Sequence, residues 1–139
     1  MEAHFTATCS KHFLPDIREF MRKHLASLPI QETLRHQIVL AVDEACANNI
    51  IHQHGNDGVS CFDISLYTTG NLLHIEIHDK GTPFPIDEYQ PKELEILIKD
   101  RIRGGLGITL INKIMDKVEV LEKGDHFTYR FSKLIQDLA

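Results

Sequence analysis

At 139 residues, with 42% hydrophobic and 25% charged content, the chain is sized for one soluble domain (1–139) that buries its own core. A net charge of −5, from 15 Lys and Arg against 20 Asp and Glu, argues against the basic face that direct nucleic-acid binding needs. Cys9, Cys46 and Cys61 are an odd number with no CxxC spacing, which disfavours a disulfide framework or a zinc site, and no run nears the ~20 apolar residues of a membrane span.

The opening Met1-Glu2-Ala3-His4 lacks the basic-then-apolar pattern of a secretory signal, so a cytoplasmic setting is expected. Residues through about Cys9 read as an edge strand. Ser10 offers an N-cap for a helix over 12–24, whose apolar positions are Phe13, Ile17, Phe20, Met21 and Leu25. Pro29 is expected to end it. A longer helix is predicted from about Gln31 to His54, with Leu34, Ile38, Val42, Ala45 and Asn49 as its inward stripe. Gly55-Asn56-Asp57-Gly58 supplies the turn that stops it.

Two alternating strands follow, Val59 to Tyr67 and Leu72 to Asp79, joined by Thr69-Gly70-Asn71. Phe62, Ile64 and Leu66 share one face of the first. In the second, Leu73, Ile75, Ile77 and Asp79 share a face, with His74, Glu76 and His78 opposite. That alternation is the mark of a sheet covered on one side. It also turns the carboxylate of Asp79 inward, where it needs hydrogen-bond donors, and a ligand amino group is a natural one. Residues 82–103, with Pro83, Pro85 and Pro91, read as a lid-like loop with a short helix. A helix over Gly107–Asp116 with Ile108, Ile111 and Met115 inward, then strands Lys117–Leu121 and Asp125–Ser132, complete the chain. The order predicts a two-layer α/β (α+β) sandwich, with helices on one face of a mixed, mostly antiparallel sheet.

Glu44, Asn48 and His52 stand at i, i+4 and i+8, a slanted row beside the apolar stripe of the long helix. An Asn carbonyl oxygen suits Mg²⁺, which takes few protein oxygens, and Glu44 one turn away suits a general base; a polar helix surface is the alternative. Gly104-Gly105-Leu106-Gly107 before a helix brings backbone N–H groups toward phosphate, or else forms a hinge or a plain turn. It has neither the Walker A nor the dinucleotide-fold spacing. Arg103 beside it offers charge for a transferring phosphoryl group, or is a solvated side chain. His52 and His54 have no carboxylate or cysteine at zinc-ligand spacing and read as surface or core histidines.

Taken together, Glu44-x-x-x-Asn48-x-x-x-His52, Asp79-x-Gly81 and Gly104-Gly105-Leu106-Gly107 resemble the GHKL (Bergerat-fold) ATPase superfamily. Asp43-Glu44-Ala45-Cys46-Ala47-Asn48 and the run Gly104–Asp116 resemble its anti-sigma factor serine/threonine-protein kinase branch, and the likeness spans nearly the whole chain. The resemblance implies that ATP and Mg²⁺ are the cofactors, with Asn48 holding the metal and Glu44 acting as base. It implies further that Asp79 accepts the adenine amino group, that Gly81 leaves room for the base, and that Gly105 and Gly107 meet the phosphates near Arg103. His52, Phe84, Gly104 and Leu106 fall within the same nucleotide-binding motifs. Pro83 stands where the family's second glycine is usual, followed by Phe84 as this branch tolerates, and Asp125 follows Gly124 where a threonine is usual. Thr128 falls on the face opposite Phe127 and Phe131 and is excluded from the site.

The function implied is a protein serine kinase that binds a sigma factor, phosphorylates a STAS-domain antagonist, and commonly acts as a homodimer. An ATP-binding module that sets partner affinity without phosphotransfer is the alternative. A histidine-kinase catalytic domain is disfavoured, because residues 1–43 leave no room for a phosphoacceptor hairpin before Glu44.

Overall fold

The computed structural model describes residues 2–83 and 105–135. Its strands are β1 (Glu2–Thr8), β2 (Cys61–Thr69), β3 (Leu72–Lys80), β4 (Lys117–Lys123) and β5 (His126–Leu134). Its helices are α1 (Leu14–Leu25), α2 (Glu32–Asn48) and α3 (Gly105–Ile114). The strands form one sheet in the order β1-β2-β3-β5-β4. Every described pairing is antiparallel, so the expected mixed character is absent from this part of the sheet.

Period-two alternation gives the sheet one apolar face. Ala3, Ala7, Phe62, Ile64, Leu66, Leu73, Ile75, Ile77, Phe127, Tyr129 and Phe131 are buried there. Ile17, Met21 and Leu25 of α1, Ile38, Val42 and Cys46 of α2, and Ile108 and Ile111 of α3 join them in one core. The apolar stripes read from the sequence are therefore largely the buried ones. Leu34 is only partly covered, and Phe13 lies in a 3₁₀ turn outside the core.

Element ends differ from expectation for identifiable reasons. The Ser10 hydroxyl caps a 3₁₀ turn, Lys11–Phe13, and α1 begins afterwards with proline in its first turn, where a missing N–H is harmless. The helix stops at Leu25, short of Pro29, and the Arg35 guanidinium donates to the carbonyls of Leu25 (3.3 Å) and Ile30 (3.2 Å) across the connection. The second helix does not run regularly to His54. It changes at Asn49 into a π turn, Asn49–Gln53, and reverses through Gly55 and Asn56, both at positive φ. Their N–H groups return to the carbonyls of Ile51 (3.0 Å) and Ile50 (2.7 Å).

The other face of the sheet carries cross-strand polar rows. Ser65, Glu76, Arg130 and Glu119 lie opposite one another from β2 to β4. Glu76, read as a solvent-facing residue, is 8% exposed. Tyr67 Oη (2.6 Å) and Arg130 Nε (2.7 Å) donate to its Oε2, and His78 Nε2 lies 3.2 Å from Oε1. Burial pushes the Glu76 carboxyl up, but these hydrogen bonds and the Arg130 and His78 charges outweigh it and hold the group below its usual range. A lowered folded value means that the charged carboxylate stabilises the fold above its ordinary range and loses that effect as pH falls through the folded value.

Arg130→Ala strands this carboxylate. The expected loss in urea denaturation at neutral pH is about 3 kcal/mol, the low end for breaking a buried pair because Tyr67 and His78 remain. The difference from the unaltered chain should shrink in acid, once Glu76 is protonated. An unchanged urea midpoint at neutral pH would contradict the assignment.

Candidate functional site

The C-terminal part of α2, the π turn and the end of β3 meet at Asp79. Its side chain is 1% exposed, as its inward register required. The donors it needs come first from the protein. Asn49 Nδ2 donates to Oδ2 at 2.7 Å, His54 Nε2 lies 2.5 Å from the same oxygen, and the Lys80 N–H donates to Oδ1 at 2.7 Å. An ionised carboxylate only accepts, so His54 carries its proton on Nε2 in this contact. Three of the roughly four lone-pair positions are then filled and one, on Oδ1, remains. A ligand amino group would thus be an additional partner and is not needed to make burial tolerable.

The π turn explains how Asn49 and His54 reach one atom. Five residues apart on a regular α-helix, they would point about 140° apart. Wider i→i+5 winding brings them back over each other, as π segments at functional sites often do. Gln53 uses the same turn to donate from Nε2 to the Thr82 carbonyl (2.8 Å), just past the strand end. Gly81 there has φ +104 and donates to the Asp125 carbonyl at 2.6 Å. Its backbone conformation therefore requires glycine, independently of any room needed by a base.

Glu44 and Asn48 lie one turn apart on α2, half-buried, with no side-chain partner among the described residues. Burial raises the Glu44 carboxyl above its ordinary value of 4.5, and neighbouring Asp43 adds to the rise. Asp43 itself pairs with Arg18 of α1 at 2.9 Å. Asn49, by contrast, is 3% exposed and committed to Asp79. Of the two adjacent asparagines, Asn49 is buried with its amide nitrogen on Asp79, and Asn48 is the half-buried one whose carboxamide oxygen can reach a hard cation, so this donor set fits magnesium.

Packed beside α2, α3 begins at Gly105, and Gly105, Leu106 and Gly107 form its first turn, where N–H groups lack intrahelical partners. Phe84, Arg103 and Gly104 lie outside the described residues, as do the side chains of His52 and Leu106 and most of the expected lid. Thr128 is on the open face, its hydroxyl 2.9 Å from His78 Nδ1, as its register implied. Sequence reasoning missed Asn49, Gln53 and His54 as site residues. Asn49 carried a signal, being a polar residue in the inward stripe; the other two depend on a π turn that no periodicity announces.

A family profile described as the histidine kinase-like ATPase domain matches residues 6–131. The chain belongs to the histidine kinase-like ATPase domain family. This histidine kinase-like ATPase domain is 36% identical over 89 residues to the serine-protein kinase RsbW of Halalkalibacterium halodurans, covering 61% of the chain and 54% of that protein. It is 31% identical over 84 residues to the anti-sigma F factor of Geobacillus stearothermophilus, covering 60% and 58%. The alignments thus span a little over half the length of these curated relatives.

Among solved structures, the RsbU and RsbW domains of a Mycobacterium tuberculosis protein superpose with a TM-score of 0.68 at 13% identity, covering 97% of this chain and 32% of that one. The SiaB–SiaC complex from Pseudomonas aeruginosa gives 0.65 at 15% identity, covering 94% and 88%. At such identities the likeness is one of fold. No helix among the described residues is long and apolar enough to cross a membrane.

The Glu44 carboxyl should titrate above 4.5 in a carbon-detected NMR titration of the folded chain. Asp43→Asn removes a negative neighbour and should move that titration to lower pH, whereas an unmoved or raised midpoint would contradict the electrostatic cause.

Proposed function

We propose that this chain is an ATP- and Mg²⁺-dependent protein serine kinase that acts as an anti-sigma regulatory factor. In this reading it binds a sigma factor and transfers the γ-phosphoryl group of ATP to a serine of a STAS-domain antagonist. The observation that carries it is the pair Glu44 and Asn48, two half-buried side chains with no side-chain partner among the described residues, on the helix that packs against α3. Family membership and the relatives named serine-protein kinase and anti-sigma F factor support the same reading.

Each residue then has a chemical task. Asp79 accepts a hydrogen bond from the adenine amino group through its remaining lone pair. The N-terminal amides of α3, from Gly105 to Gly107, receive phosphate oxygens with help from the helix dipole. Asn48 holds the metal ion through its carboxamide oxygen, and the ion supplies positive charge against the phosphates. Glu44 takes the proton as the serine oxygen bonds to the γ-phosphorus and ADP departs. Its raised titration makes its carboxylate a better base than that of a free surface glutamate. Arg103 completes the charge balance near the γ-phosphate. His52, Phe84, Gly104 and Leu106 belong to the nucleotide-binding set by their place in the motifs, and the cytoplasm and a homodimer are the expected setting and assembly.

Radiolabelled ATP offered with STAS-domain partners tests the reading. Label should appear on a partner serine. Glu44→Ala should retain ATP binding but lose roughly 10²–10⁴-fold in transfer, the usual scale of general-base catalysis. Asn48→Ala should lose Mg²⁺-dependent ATP affinity in calorimetry. Tight ATP binding with no label, unaffected by Glu44→Ala, would favour a module that uses nucleotide only to set partner affinity.

A further inference from the structure

The two half-turns of chain nearest Asp79 hold it in an unusual way. Asn49 and His54 both direct their donors to Oδ2, while the Lys80 N–H takes one position on Oδ1. No lysine or arginine pairs with this carboxylate among the described residues. Among the described residues the buried Cys9 thiol also feels this carboxylate: it is pushed up to about 12 by burial and then by Asp79 and Asp57, and is hence neutral. The charge of Asp79 is oriented but not cancelled by a permanent cation.

Asn49 makes the arrangement costly as well as specific. It is 3% exposed, and its Oδ1 is buried without a partner among the described residues while Nδ2 serves Asp79. Leaving an acceptor unpaired is unfavourable, so the fold tolerates a local loss to keep this donor in place. The π turn that aligns His54 with Asn49 is a second such departure from regular structure. Both distortions converge on one oxygen atom.

We propose that Asn49 and His54 are positioning residues that fix Asp79 through Oδ2, so that the last lone pair of Oδ1 selects an exocyclic amino group on the nucleotide base. The inference rests on the nucleotide reading above and assigns base selectivity to two residues outside its motifs. A carboxylate free to rotate would present either oxygen and meet a base carrying a carbonyl through an intervening water. A clamped one offers a single acceptor in a single direction. It therefore penalises inosine triphosphate, which has a carbonyl where adenine has the amino group.

The test is calorimetric titration of ATP and inosine triphosphate, each with Mg²⁺, into the full chain and into His54→Phe, Asn49→Leu and His54→Gln. The unaltered chain should prefer ATP. His54→Phe and Asn49→Leu should each reduce that preference about tenfold, the equivalent of one ordinary buried hydrogen bond, by weakening ATP and not inosine triphosphate. His54→Gln restores a donor and should recover the preference. Folding is checked by thermal melts; if Asn49→Leu does not fold, the partly exposed His54 position carries the test. An ATP preference unchanged in folded His54→Phe, or weakened equally for both nucleotides, would overturn the clamp alone. No saturable binding of either nucleotide by the unaltered chain would overturn the nucleotide reading, and the clamp with it.

Discussion

The carboxylate of Asp79 organises this molecule. A charged group with almost no exposure is tolerated only when hydrogen bonds replace the water it has lost. Here those bonds join the end of β3 to the π turn that continues α2, through Asn49 and His54. Gln53 adds a further tie to Thr82, and the Gly81 amide ties the same strand end to Asp125. The helix bearing Glu44 and Asn48 is thus anchored to the sheet at the point where the pocket floor would lie.

Contrast with Glu76 shows what kind of carboxylate Asp79 is. Both sit on β3, both are buried, and they face opposite sides of the sheet. Glu76 lies under Arg130 and Tyr67, its charge met by a guanidinium that never deprotonates at accessible pH. Such a group belongs to the structure: it locks β2, β3, β5 and β4 together across the open face. Asp79 is held by a carboxamide, an imidazole and a backbone amide, none of them a permanent cation. In the proposed reading this leaves its carboxylate available to a ligand dipole.

Periodicity made most of the fold legible. Ile38, Val42 and Ala45 on α2, and Leu73, Ile75, Ile77 and Asp79 on β3, are buried as their spacing implied, because burial follows from 3.6- and 2-residue repeats regardless of detail. The features that escaped are local. A 3₁₀ turn after Ser10, a helix end at Leu25 and the π turn at Asn49 depend on individual hydrogen bonds, and hydrophobic pattern carries no trace of them. Glu76 escaped for a related reason: alternation assigned its face correctly, but its burial arises from Tyr67 and Arg130 arriving on other strands. Of the candidate site, the positions of Glu44, Asn48 and Asp79 were legible from spacing. His54 was not, since a regular helix would have turned it away from Asn49.

In the proposed reading Asp79, in its clamp, forms the floor of a nucleotide pocket. NMR spectra of isotope-labelled chain recorded during addition of ATP with Mg²⁺ test this most directly, by following the Asn49 side-chain amide, the His54 ring and the Lys80 backbone amide. All three report on the two oxygens of one carboxylate and should shift together along a single saturable curve. Resonances that stay fixed at saturating ATP, while others in the chain move, would place the nucleotide elsewhere and contradict the account.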